Sequence, residues 1–273
     1  MRSDRLKVAL TRRLPDVVEK RLAQLFNVQL RKEDTQLTKQ DIIDHMKDVD
    51  VLVPCISDVI DASMLAQAGK QLKLIANFGA GFDNIDVATA LHRGILVSNT
   101  PDVVTEDTAD MAMALMLSVT RQIPQGLTFM QSGRWDGWSP SAFLGSRLAG
   151  KRLGILGMGR IGRAIAVRAK AFGMELHYHN RQRLHKNLED QYDANYWVSL
   201  DQMVAHVDIL SINCPHTPST FHLMNARRLK LLKPDAVVIN TSRGEVLDEN
   251  ALTNMLQHKE IAGAGLDVYE RGR

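Results

Sequence analysis

The stretch "RLGILGMGRIGRAIA", residues 152–166, decides how this chain is read. Arg152 to Leu156 form a short apolar run that suits a buried strand, and a helical pattern begins at Arg160. Between them stand Gly157, Gly159 and Gly162, with Met158, Arg160 and Ile161 in the intervening places. A glycine at 157 permits a tight turn, one at 159 lets backbone approach a pyrophosphate, and one at 162 lets the helix pack close to the strand. The helix N-terminus then offers free N–H groups and the positive end of its dipole to phosphates. Three glycines at this spacing can also serve a plain loop. The strand before them, the helix after them and the next strand, "MELHYH" (174–179), fall at the spacing of a βαβ unit and favour dinucleotide binding.

The end of that next strand bears on which dinucleotide. A site selective for NAD places an acid there for the ribose 2′-hydroxyl. This chain has Asn180, followed by Arg181 and Arg183. An acid would repel a 2′-phosphate, whereas an arginine can pair with it bidentately. The residues favour NADP(H), with NAD(H) as the other possibility, and two arginines after a strand are also compatible with an ordinary polar loop.

Outward from this motif the pattern repeats. Residues 7–10, 51–53, 74–76 and 95–97 read as strands in the first part of the chain, with helical stretches such as 15–25 and 86–94 between them. The second part continues with "ELHYH", "VDILSIN", "AVVINT" and "IAGAGLDV", again separated by helices. Such β-α alternation predicts an α/β fold with parallel sheets covered by helices and right-handed crossovers. "NTPDVV" combines turn residues with a proline before a long helix, which puts a boundary near 99–104 and two domains at 1–100 and 101–273.

The composition suits a globular protein with substantial cores: 273 residues, 45% hydrophobic and 24% charged. A net charge of +3 with scattered basic residues gives no nucleic-acid stripe. No apolar run reaches the roughly 18 residues of a membrane span. Cys55 and Cys214 form no CxxC, and they read as reduced thiols of a cytoplasmic protein without a metal site.

Three further loops follow strand ends, where open α/β sheets bind ligands. Arg243 in "VINTSRGEVLDE" can grip a carboxylate and polarise a neighbouring carbonyl, although a lone arginine there is more often an ion-pair partner. Gly79, Ala80 and Gly81 in "IANFGAGFDNID" leave backbone amides open, as in an anion nest, although a glycine-rich turn has the same appearance. Cys214, Pro215, His216 and Thr217 could line a nicotinamide pocket. His216 is a tempting proton donor, but a histidine between prolines is more often structural, and no histidine stands beside an acid in a recognisable pair.

Taken together, "NFGAGFDNID", "NTPDVVTEDTADMAMALML", "GKRLGILGMGRIG", "CPHTPSTFHLMN", "VINTSRGEVLDENAL" and "IAGAGLDVYE" make the chain resemble the D-isomer-specific 2-hydroxyacid dehydrogenases, most of all their glyoxylate/hydroxypyruvate reductase branch. The resemblance implies two Rossmann-like parallel-sheet domains: a flavodoxin-like substrate domain and an NAD(P)-binding Rossmann domain, in a homodimer formed through the latter. It implies hydride transfer from NAD(P)H to a small 2-oxo acid such as glyoxylate or hydroxypyruvate. By position it makes Arg243 the catalytic arginine, and Ile56, Ala80 and Gly81 the substrate contacts. Thr105, Arg160, Ile161, Cys214, Thr241 and Asp267 become cofactor contacts, beside the three glycines and the Asn180, Arg181 and Pro215 already read from the residues as cofactor contacts.

The family also uses a glutamate five residues beyond the aspartate of "LDV", paired with a histidine as general acid–base. Here Gly272 takes that place, Glu270 matches a different position, and the histidine and the final helix that returns to the first domain have no counterpart. The expectation is therefore a C-terminally truncated member with impaired proton transfer, and the alternative a dinucleotide-binding module that acts through protein interaction.

Overall fold

A computed structural model describes residues 5–270. The chain forms two compact units, Met1–Val103 and Val104–Arg273. The first contains β1 (Lys7–Leu10), α1 (Asp16–Leu25), β2 (Asn27–Gln29), α2 (Lys39–Asp48), β3 (Val51–Val53), α3 (Ala62–Leu65), β4 (Leu74–Ala76), α4 (Val87–His92) and β5 (Leu96–Ser98). All its strands pair in parallel, in the order β2-β1-β3-β4-β5. This is the flavodoxin-like order, in which the chain reverses direction between β1 and β3.

The second unit begins with two helices, α5 (Thr105–Thr120) and α6 (Ile123–Gln131). β6 (Arg152–Leu156), α7 (Arg160–Ala171), β7 (Glu175–His179), α8 (Lys186–Tyr192), β8 (Ala194–Tyr196), α9 (Leu200–His206) and β9 (Ile209–Ile212) follow. It ends with α10 (Ala226–Leu229), β10 (Val237–Asn240), a 3₁₀ turn over Gly244–Val246, α11 (Glu249–Gln257) and β11 (Gly263–Leu266). The parallel sheet runs β11-β10-β9-β6-β7-β8. That is the Rossmann order, with its reversal between β6 and β9.

The interior strands are buried on both faces, so they read as continuous apolar runs rather than alternating ones. β9 and β10 have no exposed residue. One apolar cluster packs α5 and α7 on the sheet through Ala109, Ala112, Met116, Ile165 and Ala169; a second packs α9 and α11 on the other face through Met203, Val204, Leu252 and Met255. The apolar run "MAMALMLSV" lies within α5, whose ion pairs from Glu106 and Asp110 to Arg168 fasten it to α7. No helix among the described residues is long and apolar enough to cross a membrane.

The expected strand at 95–97 lies one residue later, at 96–98, because Ile95 turns into the core at 2% exposure ahead of the ladder. β2 and β8 went unpredicted. Each has three residues, stands at a sheet edge and carries polar side chains, so neither shows an apolar run.

Candidate active site

In the second unit the residues expected to contact a cofactor, Thr105 apart, follow the carboxyl ends of the strands around the reversal point. Gly157 has φ +99°, a region that only glycine enters without strain, and a Cβ there would lie 2.8–2.9 Å from the backbone of Asn213 and Cys214. The loop after β6 thus presses against the loop after β9. Gly162 abuts Gly157, since a Cβ at 162 would stand 2.3 Å from the Gly157 carbonyl oxygen. Gly159 has open space at that position and N-caps α7 with no side-chain bond, so no cap side chain covers the first turn of the helix. Arg160 is exposed, and Ile161 leans on the core.

The next strand end is already partly occupied. Asn180 Oδ1 accepts the Met158 N–H at 2.7 Å, which ties β7 to the glycine loop. Arg183, one of the two arginines expected near a 2′-phosphate, is paired within the chain. It makes a two-pronged pair with Glu189, 2.8 Å on each prong, and lies over the Tyr196 ring at 5.4 Å. Tyr178 donates from beneath to the same carboxylate. Arg183 and Tyr178 hold the Glu189 carboxyl below its usual range, while burial and that bond push the Tyr178 hydroxyl up to about 12. Arg181 is exposed and makes no ion pair among the described residues.

Cys214 follows β9, half-buried, and burial pushes its thiol up to about 11. Its side chain packs against the apolar cluster that holds α9 and α11. Pro215 is exposed, and its carbonyl accepts the Thr220 hydroxyl at 2.7 Å. Thr241 and Arg243 follow β10, and Asp267 follows β11, with its N–H bonded to Asn240 O at 3.0 Å. The buried Asn240 shapes the arginine's turn: its Nδ2 donates to Arg243 O at 2.9 Å, and its Oδ1 accepts from the Ser242 N–H and hydroxyl. Thr105 opens α5 in the same unit.

The set fits a nicotinamide dinucleotide. Asn213 Oδ1 and Thr241 Oγ1 are buried polar atoms without a protein partner at the ends of β9 and β10, where a bound ligand could satisfy them. Among the described residues no group of His, Cys, Asp and Glu could hold a metal ion.

In the first unit the loops after β3 and β4 carry the other expected residues. Ile56 is 57% exposed, and its Cγ2 fills the place that a Cβ on Gly79 would take, 2.3 Å away. The carbonyls of Gly79, Ala80 and Gly81 accept from Thr100 N–H at 3.0 Å, Asn99 Nδ2 at 2.7 Å and Asn77 Nδ2 at 2.7 Å. The N–H groups of Ala80 and Gly81 donate to nothing among the described residues.

Among the described residues the His216 side chain makes only a ring contact with Phe221, at 6.2 Å. A histidine–acid pair that the sequence hid is present instead: His222 Nε2 lies 3.0 Å from Glu270 Oε1, on residues 48 apart. The His222 N–H also bonds Glu245 O at 2.8 Å, so the pair braces the turn that follows Arg243. Gly272 lies outside the described residues.

Residues 113–272 match the family model "D-isomer specific 2-hydroxyacid dehydrogenase, NAD binding domain". The glyoxylate reductase of Thermococcus litoralis is 43% identical over 268 residues, 97% of this chain and 80% of the relative. Among solved structures, the NADPH-dependent glyoxylate/hydroxypyruvate reductase of Sinorhizobium meliloti, in complex with NADP and malonate, superposes with TM-score 0.86 at 35% identity, covering 98% of this chain and 81% of that one. The D-lactate dehydrogenase of Aquifex aeolicus, complexed with NAD and lactic acid, gives 0.84 at 26% identity over 97% and 77%. These likenesses favour an enzyme and lend no support to a module that acts through protein interaction alone. Two parallel-sheet units in flavodoxin-like and Rossmann order, a glycine turn at the sheet reversal and these relatives lead to one conclusion: the chain belongs to the D-isomer-specific 2-hydroxyacid dehydrogenase family.

Proposed function

We propose that the protein reduces a small 2-oxo acid, glyoxylate or hydroxypyruvate, to the 2-hydroxy acid, with NADPH as the favoured reductant. The observation that carries this reading is the cluster of Gly157, Thr241, Arg243 and Asp267 at the carboxyl end of one Rossmann sheet. The dinucleotide, when bound, supplies the hydride.

The chain's own residues bind and polarise. The first-turn amides of α7 take the pyrophosphate, with Gly157 and Gly159 giving it room. Thr105, Asn180, Cys214, Pro215, Thr241 and Asp267 complete the cofactor contacts. The Arg243 guanidinium holds the carboxylate and draws electron density from the adjacent carbonyl, which favours hydride addition there, and the resulting alkoxide takes its proton from water. Ala80 and Gly81 offer amides, and Ile56 an apolar wall, to the same class of small acid. NADPH oxidation followed at 340 nm with each acid tests the reading; turnover of neither would overturn it.

Preference for NADPH rests on Arg181, because Arg183 is committed to Glu189. Arg181→Asp is expected to lower the NADPH/NADH ratio of kcat/KM by about 10-fold or more, as a charge-assisted pair becomes a repulsion. Arg183→Ala should instead lower stability more than it changes the ratio. An unchanged ratio in the first variant would remove the 2′-phosphate assignment.

The protein forms a homodimer through the second unit, using α6 and the loop that follows it. α6 has no buried residue, and Ile123, Leu127 and Met130 are each more than half exposed. Trp135, Trp138 and Leu144 add 55%, 85% and 70% exposure. Apolar surface this extensive marks an interface. A Leu127→Glu, Met130→Glu double variant is expected to run as a monomer in light scattering at concentrations where the unsubstituted chain is a dimer.

A further inference from the structure

The nest in the first unit has a physical cause that lies outside the residues assigned to it. A trans peptide is planar, so the C=O of one residue and the N–H of the next point in opposite directions. Thr100 N–H captures the Gly79 carbonyl and Asn99 Nδ2 captures the Ala80 carbonyl. These two captures turn the N–H groups of Ala80 and Gly81 the other way. Asn77 Nδ2 holds the Gly81 carbonyl and so closes the turn.

Asn77 is in turn held by Asn84, whose Nδ2 stands 3.3 Å from Asn77 Oδ1. The same amide donates to the carbonyls of Cys55 at 3.2 Å and Asp58 at 3.0 Å, in the loop that carries Ile56. Asp58, at 1% exposure, fixes that loop from the other side, with Oδ2 accepting the Cys55 N–H at 2.8 Å and the Thr11 hydroxyl at 2.6 Å. Residues 55–58 and 77–81 are thus joined through side-chain amides. Each of Asn77, Asn84 and Asp58 is bonded through at least one side-chain atom, and bonds of this kind restrict the backbone that they join, although Asp58 Oδ1 and Asn84 Oδ1 have no partner among the described residues.

We propose that Asn99, Asn77 and Asn84 are positioning residues that preset the Ala80 and Gly81 amides for the substrate carboxylate, an inference that rests on the reading of those amides as the carboxylate site. Asn99 acts most directly, because its bond sets the peptide that carries the Gly81 N–H. Asn84 acts through Asn77 and through the Ile56 loop. None of the three donates to the substrate. Their effect is to remove the reorientation that free peptides would otherwise undergo on binding.

The test is Asn99→Ala, with Asn84→Ala as the second variant. For glyoxylate and hydroxypyruvate, KM is expected to rise about 10-fold or more while kcat stays within about 3-fold, the pattern of lost ground-state and transition-state binding alike. NADPH affinity, read by fluorescence titration, should not change. Asn99→Ser, which keeps a short donor, should recover part of the KM. A merely structural role would lower the active fraction, and hence kcat, at constant KM. An unchanged KM in Asn99→Ala, or a KM that rises only with lost NADPH affinity, overturns the proposal. Oxalate binding by calorimetry in the presence of NADP separates this from the activity reading. If the unsubstituted chain reduces neither acid yet binds oxalate, with Asn99→Ala weaker, the positioning role stands and the reductase assignment falls. If oxalate binds equally to both, or to neither, the positioning role falls.

Discussion

Arg243→Gln is expected to lower kcat/KM for glyoxylate by about 10²–10³-fold, the scale of losing one preorganised electrostatic donor. The loss should fall mainly on kcat, since the guanidinium acts most strongly as charge develops on the carbonyl oxygen. Arg243→Lys should recover little, because an ammonium keeps the charge but not the planar fork that meets a carboxylate. The turn's backbone is set chiefly by Asn240, through Arg243 O and through the Ser242 N–H and hydroxyl, while Arg243 Nη1 adds one bond of its own to Ser242 O at 2.8 Å. NADPH affinity should match that of the unsubstituted chain, and a cooperative thermal transition shows that each variant remains folded. Steady-state kinetics with both variants check this, and a kcat/KM within about 3-fold of the original would exclude Arg243 from the chemistry.

Gly157→Ala is expected to destabilise the second unit and to abolish dinucleotide binding at micromolar NADPH. At φ +99° a Cβ is strained, and here it would also press on the Asn213 carbonyl and the Cys214 N–H at 2.8–2.9 Å. Strain and overpacking together should cost about 2–4 kcal/mol. Because the contact is with backbone, no rotamer change relieves it, and the loops after β6 and β9 must part at the sheet reversal. Gly159→Ala makes the informative contrast. A Cβ there meets nothing within 4 Å, so stability should hold while NADPH affinity falls, provided the space serves a pyrophosphate. Urea unfolding and fluorescence titration of both variants read the two effects separately. Equal behaviour of the two would deny the glycines distinct roles.

Much of the fold was legible because its signals are local. The long apolar runs of β6, β9 and β10 are buried on both faces, and the glycine turn sits between a strand and a helix. Short polar edge strands such as β2 and β8 carry no comparable signal, because they are held by pairing with a neighbour and not by burial. At the site, the Arg183–Glu189 pair is six residues apart, where no helical or strand spacing announces it, and it engages one of the two arginines that pointed to a 2′-phosphate. His222 and Glu270 meet only because the loop after β9 and the segment after β11 converge beside the turn that follows β10.

The sequence by itself determined the β-α order, the glycine turn, the placing of Arg243 and Asp267 after strands, and the family, because each is a property of residue type and spacing along the chain. Only the tertiary structure decided which polar groups remain available. Among the described residues Arg181 makes no ion pair where Arg183 is taken, and Asn213 Oδ1 and Thr241 Oγ1 are buried without a partner. The Ala80 and Gly81 amides face outward because Thr100 and Asn99 hold the preceding carbonyls. Hydrogen bonding is exclusive and directional, so a group's availability depends on partners tens of residues away, and no local pattern records them.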